Sequence, residues 1–341
     1  MKIIVDGFGG DYAPQEIIEG AVNAINAVQG FDIVLTGKEE IISHELKNHS
    51  FDRKRLTIIN AGDVITNEDI PTTAIKTKND SSLVKALAYL KENEEAKGLV
   101  SAGSTGAVLT GGLLKIGRIN GVSRPALAPI LPTVKDGKVL LIDCGANVDC
   151  KSIHLCHFAV MGSIFAENYL KIKNPRVGLL SNGTEDKKGN ELNKEAFPIL
   201  KSMQDINFIG NIEGRDILSG EVDVVVSDGF NGNIALKTME GSSTAVLKMI
   251  KSEVSKKLRY KIGAWLLKPM FNSLRNKMDY NQSGGAIFLG VDKIIIKSHG
   301  SSKASSITAS ILQVKDMHET KVIEIIKEKI TNYELRITNE A

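Results

Sequence analysis

The sequence contains few of the residues that mark secreted, disulfide-bonded or disordered proteins. Its 341 residues include only 3 cysteines and 8 prolines, and no low-complexity stretch interrupts the chain. An odd number of cysteines in a long chain argues against a disulfide framework and favours a reducing compartment such as the cytosol. With 42% hydrophobic and 24% charged residues, the composition is that of a globular protein with a buried core.

Long apolar runs and a strong net charge are also missing. After Lys2 the apolar residues extend only to Val5 before Asp6 and a glycine loop, which is too short for a signal peptide. No uncharged run of about 18 apolar residues occurs, so no membrane-spanning helix is expected. The 43 basic and 40 acidic residues give a net charge of +3, which does not indicate nucleic-acid binding. We therefore expect a cytoplasmic protein whose membrane contact is at most peripheral.

Short β-branched runs alternate with longer segments of helical period. The first run, Ile3 to Val5, leads through a glycine loop into a helix that Pro14 opens. The other predicted strands lie at 33–35, 57–59, 99–100, 139–142, 177–180, 208–209, 222–226 and 294–296. This alternation predicts a mainly parallel sheet between two helical layers, a three-layer α/β/α sandwich. Because no linker or repeat divides the sequence, we predict a single α/β domain over 1–341.

One segment breaks the alternation. From about 233 to 280 the sequence has a helical period without a strand, and we predict a helical hairpin that protrudes from the domain. Its predicted tip carries the apolar residues Trp265, Leu266, Leu267, Met270 and Phe271. Lysines and arginines flank this tip, as in helices that lie on a membrane surface, but such a stripe is equally typical of a dimer interface. We expect a dimer contact at 234–254 and a lipid contact at 260–275.

Glycine- and serine-rich loops follow several predicted strands. In a parallel sheet the carboxyl ends share one edge, where helix N-termini present free N–H groups to anions. Any one such loop is more often structural than functional. Six of them in one chain indicate a site for phosphate or another oxyanion, and they lie at 6–14, 101–107, 143–147, 181–183, 227–233 and 297–302.

Several other enzyme classes lack their motifs here. Residues 7–12 read GFGGDY, so the third glycine of the dinucleotide fingerprint is missing, and neither a GxxxxGKS/T loop nor a GxSxG elbow occurs. Cys150, His154 and His157 would share one helix face, but their spacing favours helix packing over zinc. We expect neither a metal nor a cofactor.

Seven segments in order carry a more specific signal. They are DGFGGDYAP, SAGSTGA, RPA at 124–126, DCGANVDC, GLLSNGTEDKKGN, VDVVVSDGFNGN and GGAIFLGVDKIIIKSHGSS. With them, residues 1–325 resemble the bacterial PlsX-type phosphate acyltransferases, although Phe8, Ser104, Ser181 and Ser227 depart from that pattern. The resemblance implies a fold similar to the isocitrate and isopropylmalate dehydrogenases and to phosphotransacetylase. It also implies a homodimer that transfers a fatty acyl group from acyl carrier protein to inorganic phosphate, supplying a membrane acyltransferase that uses acyl phosphate.

Acyl transfer to phosphate needs the phosphate held against the thioester carbonyl and donors for the oxyanion that forms. The expected catalytic residues are Arg124, Lys297 and His299, with His299 a candidate for protonating the leaving thiolate. The residues expected to bind phosphate or substrate are Asp6, Gly9, Gly10, Asp11, Gly103, Ser104, Thr105, Gly106, Asn147, Lys187, Asn231, Asn233, Ser301 and Ser302. The basic stretch from Lys256 to Lys277 is the expected docking surface for the acidic carrier protein.

Three other functions stay open at this point. A phosphotransacetylase acting on coenzyme A thioesters would share the phosphate site but need a nucleotide pocket. A non-catalytic, membrane-associated scaffold could use the same fold. A dehydrogenase of the isopropylmalate type would need nicotinamide and usually a metal, for which no clear pair of aspartates at helical spacing is found.

Overall fold

The computed structural model describes residues 1–278 and 284–330, whose strands form two sheets. The seven strands of the first sheet are, in spatial order, β3 (Leu56–Asn60), β2 (Asp32–Gly37), β1 (Lys2–Asp6), β4 (Ala96–Ser101), β12 (Ile294–Lys297), β11 (Ala286–Leu289) and β5 (Ala126–Ala128). The five of the second are β6 (Ile130–Pro132), β7 (Lys138–Ile142), β10 (Val224–Val226), β8 (Arg176–Ser181) and β9 (Asn207–Glu213). The antiparallel pairs among the described strands are β11 with β12, β11 with β5, and β6 with β7. The prediction of a mainly parallel α/β protein is confirmed.

Helices connect most of these strands, as parallel crossovers require. They are α1 (Gln15–Ala27), α2 (Glu39–Glu45), α3 (Pro71–Thr77), α4 (Ser82–Glu92), α5 (Thr105–Gly111), α6 (Ser152–Asn168), α7 (Glu191–Ser202), α8 (Gly229–Ser255), α9 (Leu258–Leu266), α10 (Lys268–Met278), α11 (Ala304–Glu319) and a last helix at 322–330. A π-helical turn, Gly112–Ile116, continues α5.

Helices cover both faces of each sheet. In β1, Ile3 belongs to the core that α1 and α11 cover, whereas its neighbour Ile4 belongs to the core that α4 covers. In β7, Leu140 lies in the core with α6, and Leu141 lies in the core that the start of α8 covers. Successive residues of a strand point to opposite faces, so each strand contributes to two cores. Each of the two sheets therefore lies between two helical layers. The predicted α/β/α layers are present, but around two sheets instead of one.

The two sheets share one hydrophobic core. That core contains Ile3 of the first sheet together with Leu140 and Val224 of the second. Helix α6 also lies in it, and its residues from His154 to Ala166 are all buried, as expected for a helix that is apolar all round. The shared core supports the proposal of a single domain, of which residues 279–283 and 331–341 lie outside the described part.

Helices α8, α9 and α10 form the predicted protruding hairpin. Helix α8 has 27 residues and is about 40 Å long, and its buried residues are Gly229 and Gly232 at its start. It begins before the predicted position 233, because the carboxylate of Asp228 accepts a hydrogen bond from the Asn231 N–H (2.8 Å) and caps the helix there. The predicted end at 279–280 lies outside the described residues. Within 1–278 and 284–330, no helix combines the length and apolarity needed to cross a membrane.

The close approach of α1 and α11 predicts one effect on stability. A Cβ atom added to Gly20 would lie 2.6 Å from the Cβ of Ile307 and 2.8 Å from the carbonyl oxygen of Ala304. Overpacking of this kind costs about 1–3 kcal/mol, so Gly20→Ala should lower the melting temperature. The matched control is Gly214→Ala in the exposed turn after β9, where an added Cβ would have no described neighbour within 4 Å. Alanine there should change the free energy of unfolding by less than about 0.5 kcal/mol, and equal effects of both changes would contradict the tight contact.

Candidate active site

A cleft of about 350 Å³ lies where the carboxyl ends of strands from both sheets meet. From the first sheet it receives Thr105 at the start of α5 and Lys297 to His299 at the end of β12. From the second it receives Cys144 and Gly145 after β7, and one face of α8 that includes Asn233. In each sheet the parallel strands have their carboxyl ends at one edge, and the cleft lies where these two edges meet.

Lys297 is the buried cation of this cleft. The residue is 8% exposed, and its ammonium donates hydrogen bonds to the carbonyl oxygens of Ser298 and Ala102, the latter at 3.4 Å. Burial lowers the pKa of Lys297 to about 8, and the nearby carboxylates of Asp11 and Asp6 only partly oppose this shift. No carboxylate of the described residues forms an ion pair with it. At neutral pH the cleft therefore holds a positive charge that an anionic ligand can neutralise.

His299 is oriented by the turn that follows β12. Its Nδ1 accepts a hydrogen bond from the Ser301 N–H (3.2 Å) and lies 2.8 Å from the Ser301 hydroxyl. With Nδ1 used as an acceptor, the proton of the neutral ring is on Nε2. Burial lowers the pKa of His299, and the charge of Lys237 adds to this effect. The ring is thus a neutral donor at the cleft.

The buried side chain of Asp6 connects the glycine loop that follows β1 to the one that follows β4. The residue is 2% exposed, and its Oδ2 accepts a hydrogen bond from the Ser101 hydroxyl (2.7 Å), which itself accepts from the Gly103 N–H (3.1 Å). Burial raises the pKa of this carboxyl group, while the bond from Ser101 opposes the shift. A Cβ atom on Gly9 would lie 2.6 Å from both the Asp6 carboxylate and the Gly103 nitrogen. The geometry gives Asp6, Gly9 and Gly103 the role of positioning the loops.

Asp143 connects the two sheets beside the cleft. Its buried carboxylate accepts hydrogen bonds from the Leu127 N–H (2.8 Å) in β5 of the first sheet and from the Ala146 (3.1 Å) and Asn147 (2.7 Å) N–H groups after β7 of the second. The Asn147 amide also donates to it (2.8 Å) and to the carbonyl oxygen of Pro125 (2.7 Å). Asn147 is 7% exposed and does not line the cleft. It holds the loops that shape the site.

Several predicted site residues lie elsewhere. Arg124 is exposed near the start of α6, where burial lowers the pKa of His154 and the charge of Arg124 adds to that shift. Lys187 is exposed in the loop after β8, and the Asn231 amide donates to the capping carboxylate of Asp228 (2.7 Å). Arg124, Lys187 and Asn231 do not line the cleft.

The remaining predicted residues lie in the loops around the cleft. Asp11 donates through its N–H to the Gly300 carbonyl oxygen (2.8 Å), and Gly10 there has a positive φ of 107°. Ser104 precedes α5 without making a side-chain cap, and Gly106 packs against Pro71. Ser302 is buried, and its hydroxyl has no hydrogen-bond partner among the described residues. The structure therefore brings Thr105, Asn233, Lys297 and His299 together in the cleft lining.

Sequence reasoning missed two kinds of cleft residue. Lys237 and Glu240 of α8 line the cleft and form an ion pair at 2.8 Å. With Asn233 they follow the i, i+4, i+7 spacing of one helix face, which the sequence shows, but this segment was assigned to the hairpin. The second kind is an apolar wall, formed by Leu127, Pro129, Ile130, Leu236 and Ala286. A cleft with cations beside an apolar wall suits an amphiphilic ligand.

Comparison with known proteins identifies the family of this chain. The model of a family described as "Fatty acid synthesis protein" matches residues 1–325. The chain belongs to this family. The phosphate acyltransferase of Clostridium novyi (strain NT) is 48% identical over 330 residues, which cover 97% of this chain and 98% of that protein. The phosphate acyltransferase of Clostridium tetani (strain Massachusetts / E88) is 46% identical over 334 residues, covering 98% and 99%. The family resemblance of the seven sequence segments is confirmed.

Solved structures confirm the type of fold. A phosphotransacetylase from Streptococcus pyogenes aligns with a TM-score of 0.58 over 93% of this chain and 94% of that one, at 18% sequence identity. At this identity the likeness establishes the shared fold alone. The phosphotransacetylase fold, which the family resemblance implied, is therefore the fold that the chain adopts.

Asn147, which holds the loops that shape the cleft, and Asn233, which lines it, should respond differently to replacement by alanine. Asn147→Ala removes both hydrogen bonds of a buried amide and leaves the Pro125 carbonyl oxygen unpaired, which should cost about 2–3 kcal/mol of stability. Asn233 is exposed to the cleft, so Asn233→Ala should change stability by less than about 0.5 kcal/mol. Thermal unfolding of the two variants measures this difference. Equal melting temperatures would contradict the structural role of Asn147.

Proposed function

We propose that this cleft transfers a fatty acyl group from acyl carrier protein to inorganic phosphate, giving acyl phosphate and free carrier protein. The observation that carries the proposal is the buried ammonium of Lys297 next to a neutral His299 and an apolar wall in one cleft. An anion and an acyl chain can be held there side by side. The names of the relatives at 48% and 46% identity support phosphate as the acceptor.

The reaction needs positioning more than it needs a base. A phosphate oxygen, already anionic, attacks the thioester carbonyl carbon, and the new C–O bond converts the carbonyl into an oxyanion. The oxyanion collapses, the C–S bond breaks, and its electron pair leaves with sulfur as a thiolate. Thiol pKa values near about 8.5 make this an acceptable leaving group. Lys297 holds the phosphate, and His299 donates its Nε2 proton in a hydrogen bond to the oxyanion or the departing sulfur.

The proposed partners fit the charge and apolarity of the hairpin. Exposed basic residues from Lys256 to Lys268 suit an acidic carrier protein by charge complementarity. Trp265 is 71% and Leu266 65% exposed, which suits peripheral contact of a cytoplasmic protein with the membrane where acyl phosphate is used. Met249, 71% exposed on α8, lies in the segment 234–254 that we assign to a homodimer contact.

The first test follows carrier-protein release from palmitoyl-acyl carrier protein with and without inorganic phosphate, trapping acyl phosphate with hydroxylamine. Phosphate-dependent release with a hydroxamate product is expected. Palmitoyl-coenzyme A is the matched donor, and a clear preference for it would indicate a phosphotransacetylase instead. Release without phosphate would indicate a thioesterase, and binding of carrier protein without any turnover would indicate a scaffold.

The pKa of Lys297 predicts how phosphate affinity varies with pH. Because its pKa is lowered to about 8, the ammonium is charged below that pH and neutral above it. Above about pH 8, where inorganic phosphate is already the dianion, the KM for phosphate should rise, approaching about tenfold per pH unit. Lys297→Arg keeps the charge throughout this range and should remove the dependence. A phosphate KM that stays constant to pH 9.5 in the wild-type protein would contradict the assignment of Lys297.

A further inference from the structure

We propose that Lys237 is a second phosphate-binding residue of the cleft and that Glu240 is its positioning residue. The inference rests on the proposed function and adds to it a pair of side chains from α8. The phosphate would then lie between the lysine at the end of β12 and a lysine of the helix that follows β10. A ligand held in this way would connect the contributions of the two sheets.

The position of α8 puts these side chains in the cleft. Asn233, Lys237 and Glu240 are separated by four and three residues, so they lie on one helix face, and all three line the cleft. Leu236, beside Lys237, belongs to the apolar wall. The helix is fixed at this end because Gly229 and Gly232 are buried and Asp228 caps it. The polar face of the first three turns of α8 therefore lines the site.

The ion pair differs from an ordinary surface pair. The ammonium of Lys237 lies 2.8 Å from Oε2 of Glu240, and the side chains are 53% and 18% exposed. By comparison, the pair between Lys256 and Glu253 at the other end of α8 is 60% and 61% exposed. Glu240 is thus largely enclosed while the lysine faces open space. Its ammonium has three donors, and Glu240 accepts one of them, so donors remain for a ligand.

Lys237 is close enough to Lys297 and His299 for its charge to act on both. The charge of Lys237 adds to burial in lowering the pKa values of both Lys297 and His299. Two cations in one cleft repel each other. A dianion bound between them attracts both lysines, and this attraction outweighs the repulsion. Glu240 offsets part of the repulsion when the cleft is empty. Each lysine supplies charge-assisted donors, which are the ones that hold phosphate oxygens most strongly.

The test compares phosphate and donor kinetics in Lys237→Met, Lys237→Arg and Glu240→Gln. Lys237→Met should raise the KM for phosphate by about 10- to 100-fold while the KM for acyl-acyl carrier protein changes by less than about twofold. Lys237→Arg should restore part of the loss. The matched control is Lys315→Met, which breaks another helical ion pair of 2.6 Å, on α11, and should leave both constants unchanged.

Glu240→Gln separates binding from positioning. Without the carboxylate the ammonium keeps its charge but loses its orientation, so the KM for phosphate should rise by less than in Lys237→Met, and the KM for acyl-acyl carrier protein should not change. A phosphate KM that is unchanged in Glu240→Gln would overturn the positioning role. A phosphate KM unaltered in Lys237→Met would overturn the binding role.

A second readout does not depend on turnover. Inorganic phosphate should raise the melting temperature of the wild-type protein and of Lys315→Met, and this increase should be lost in Lys237→Met. If the wild-type protein gives no hydroxamate but phosphate still stabilises it through Lys237, the proposed reaction fails and the binding site stands. If hydroxamate forms and the stabilisation is the same in Lys237→Met, the reaction stands and this inference fails.

Discussion

The carboxylate of Asp143 is the interaction on which the cleft depends. It accepts hydrogen bonds from an N–H group of β5 in the first sheet and from two N–H groups that follow β7 in the second. Burial raises its pKa, and the four hydrogen bonds it receives oppose that shift, since they favour the charged form. Without this acceptor, three N–H groups, two of them buried, would lose their partner at the point where the two sheets meet. The cleft has its shape because this junction is fixed.

The same junction explains why the site contains groups from distant parts of the sequence. The chain leaves the first sheet at Ala128 and enters the second at Ile130, with Pro129 alone between them. Proline donates no hydrogen bond, so neither sheet loses a bond at this residue. Beyond it, the carboxyl ends of β4 and β12 face those of β7 and β10 across the cleft. Lys297 at the end of the first sheet therefore lies opposite α8, which follows the second sheet.

The periodicity of the sequence predicted strands both inside the sheets and at their edges. Every predicted strand is present, for example Arg176–Ser181 where 177–180 was expected. The strands that were missed, β5, β6 and β11, pair antiparallel and contain few β-branched residues, whereas the equally short β10 and β12 are runs of valine or isoleucine. The division into two sheets was missed for another reason. Apolar periodicity indicates that a strand is buried, whereas its pairing partner depends on contacts far along the chain.

The same distinction applies to the site. Lys297, His299, Thr105 and Asn233 could be placed from loops at strand ends, because the edge of a parallel sheet fixes where those loops go. Asn147 comes from an equally suggestive loop, but its amide is used by Asp143 and Pro125. Residue type alone does not separate a binding amide from a structural one. Lys237 and Glu240 were missed because their helix continues into the segment that the sequence predicts as a hairpin.

Helix α8 connects the cleft to the hairpin. The first three turns of α8 present Asn233, Lys237 and Glu240 to the cleft, and later turns carry exposed apolar residues such as Met249. Among the described residues no glycine after Gly241 and no proline interrupts this helix before Ser255. Gly241, Ser242 and Ser243 separate the two parts, and Gly/Ser pairs are positions at which helices bend. The cleft and the hairpin therefore share one helix, with a site of bending between the lysine at its near end and the apolar residues at its far end.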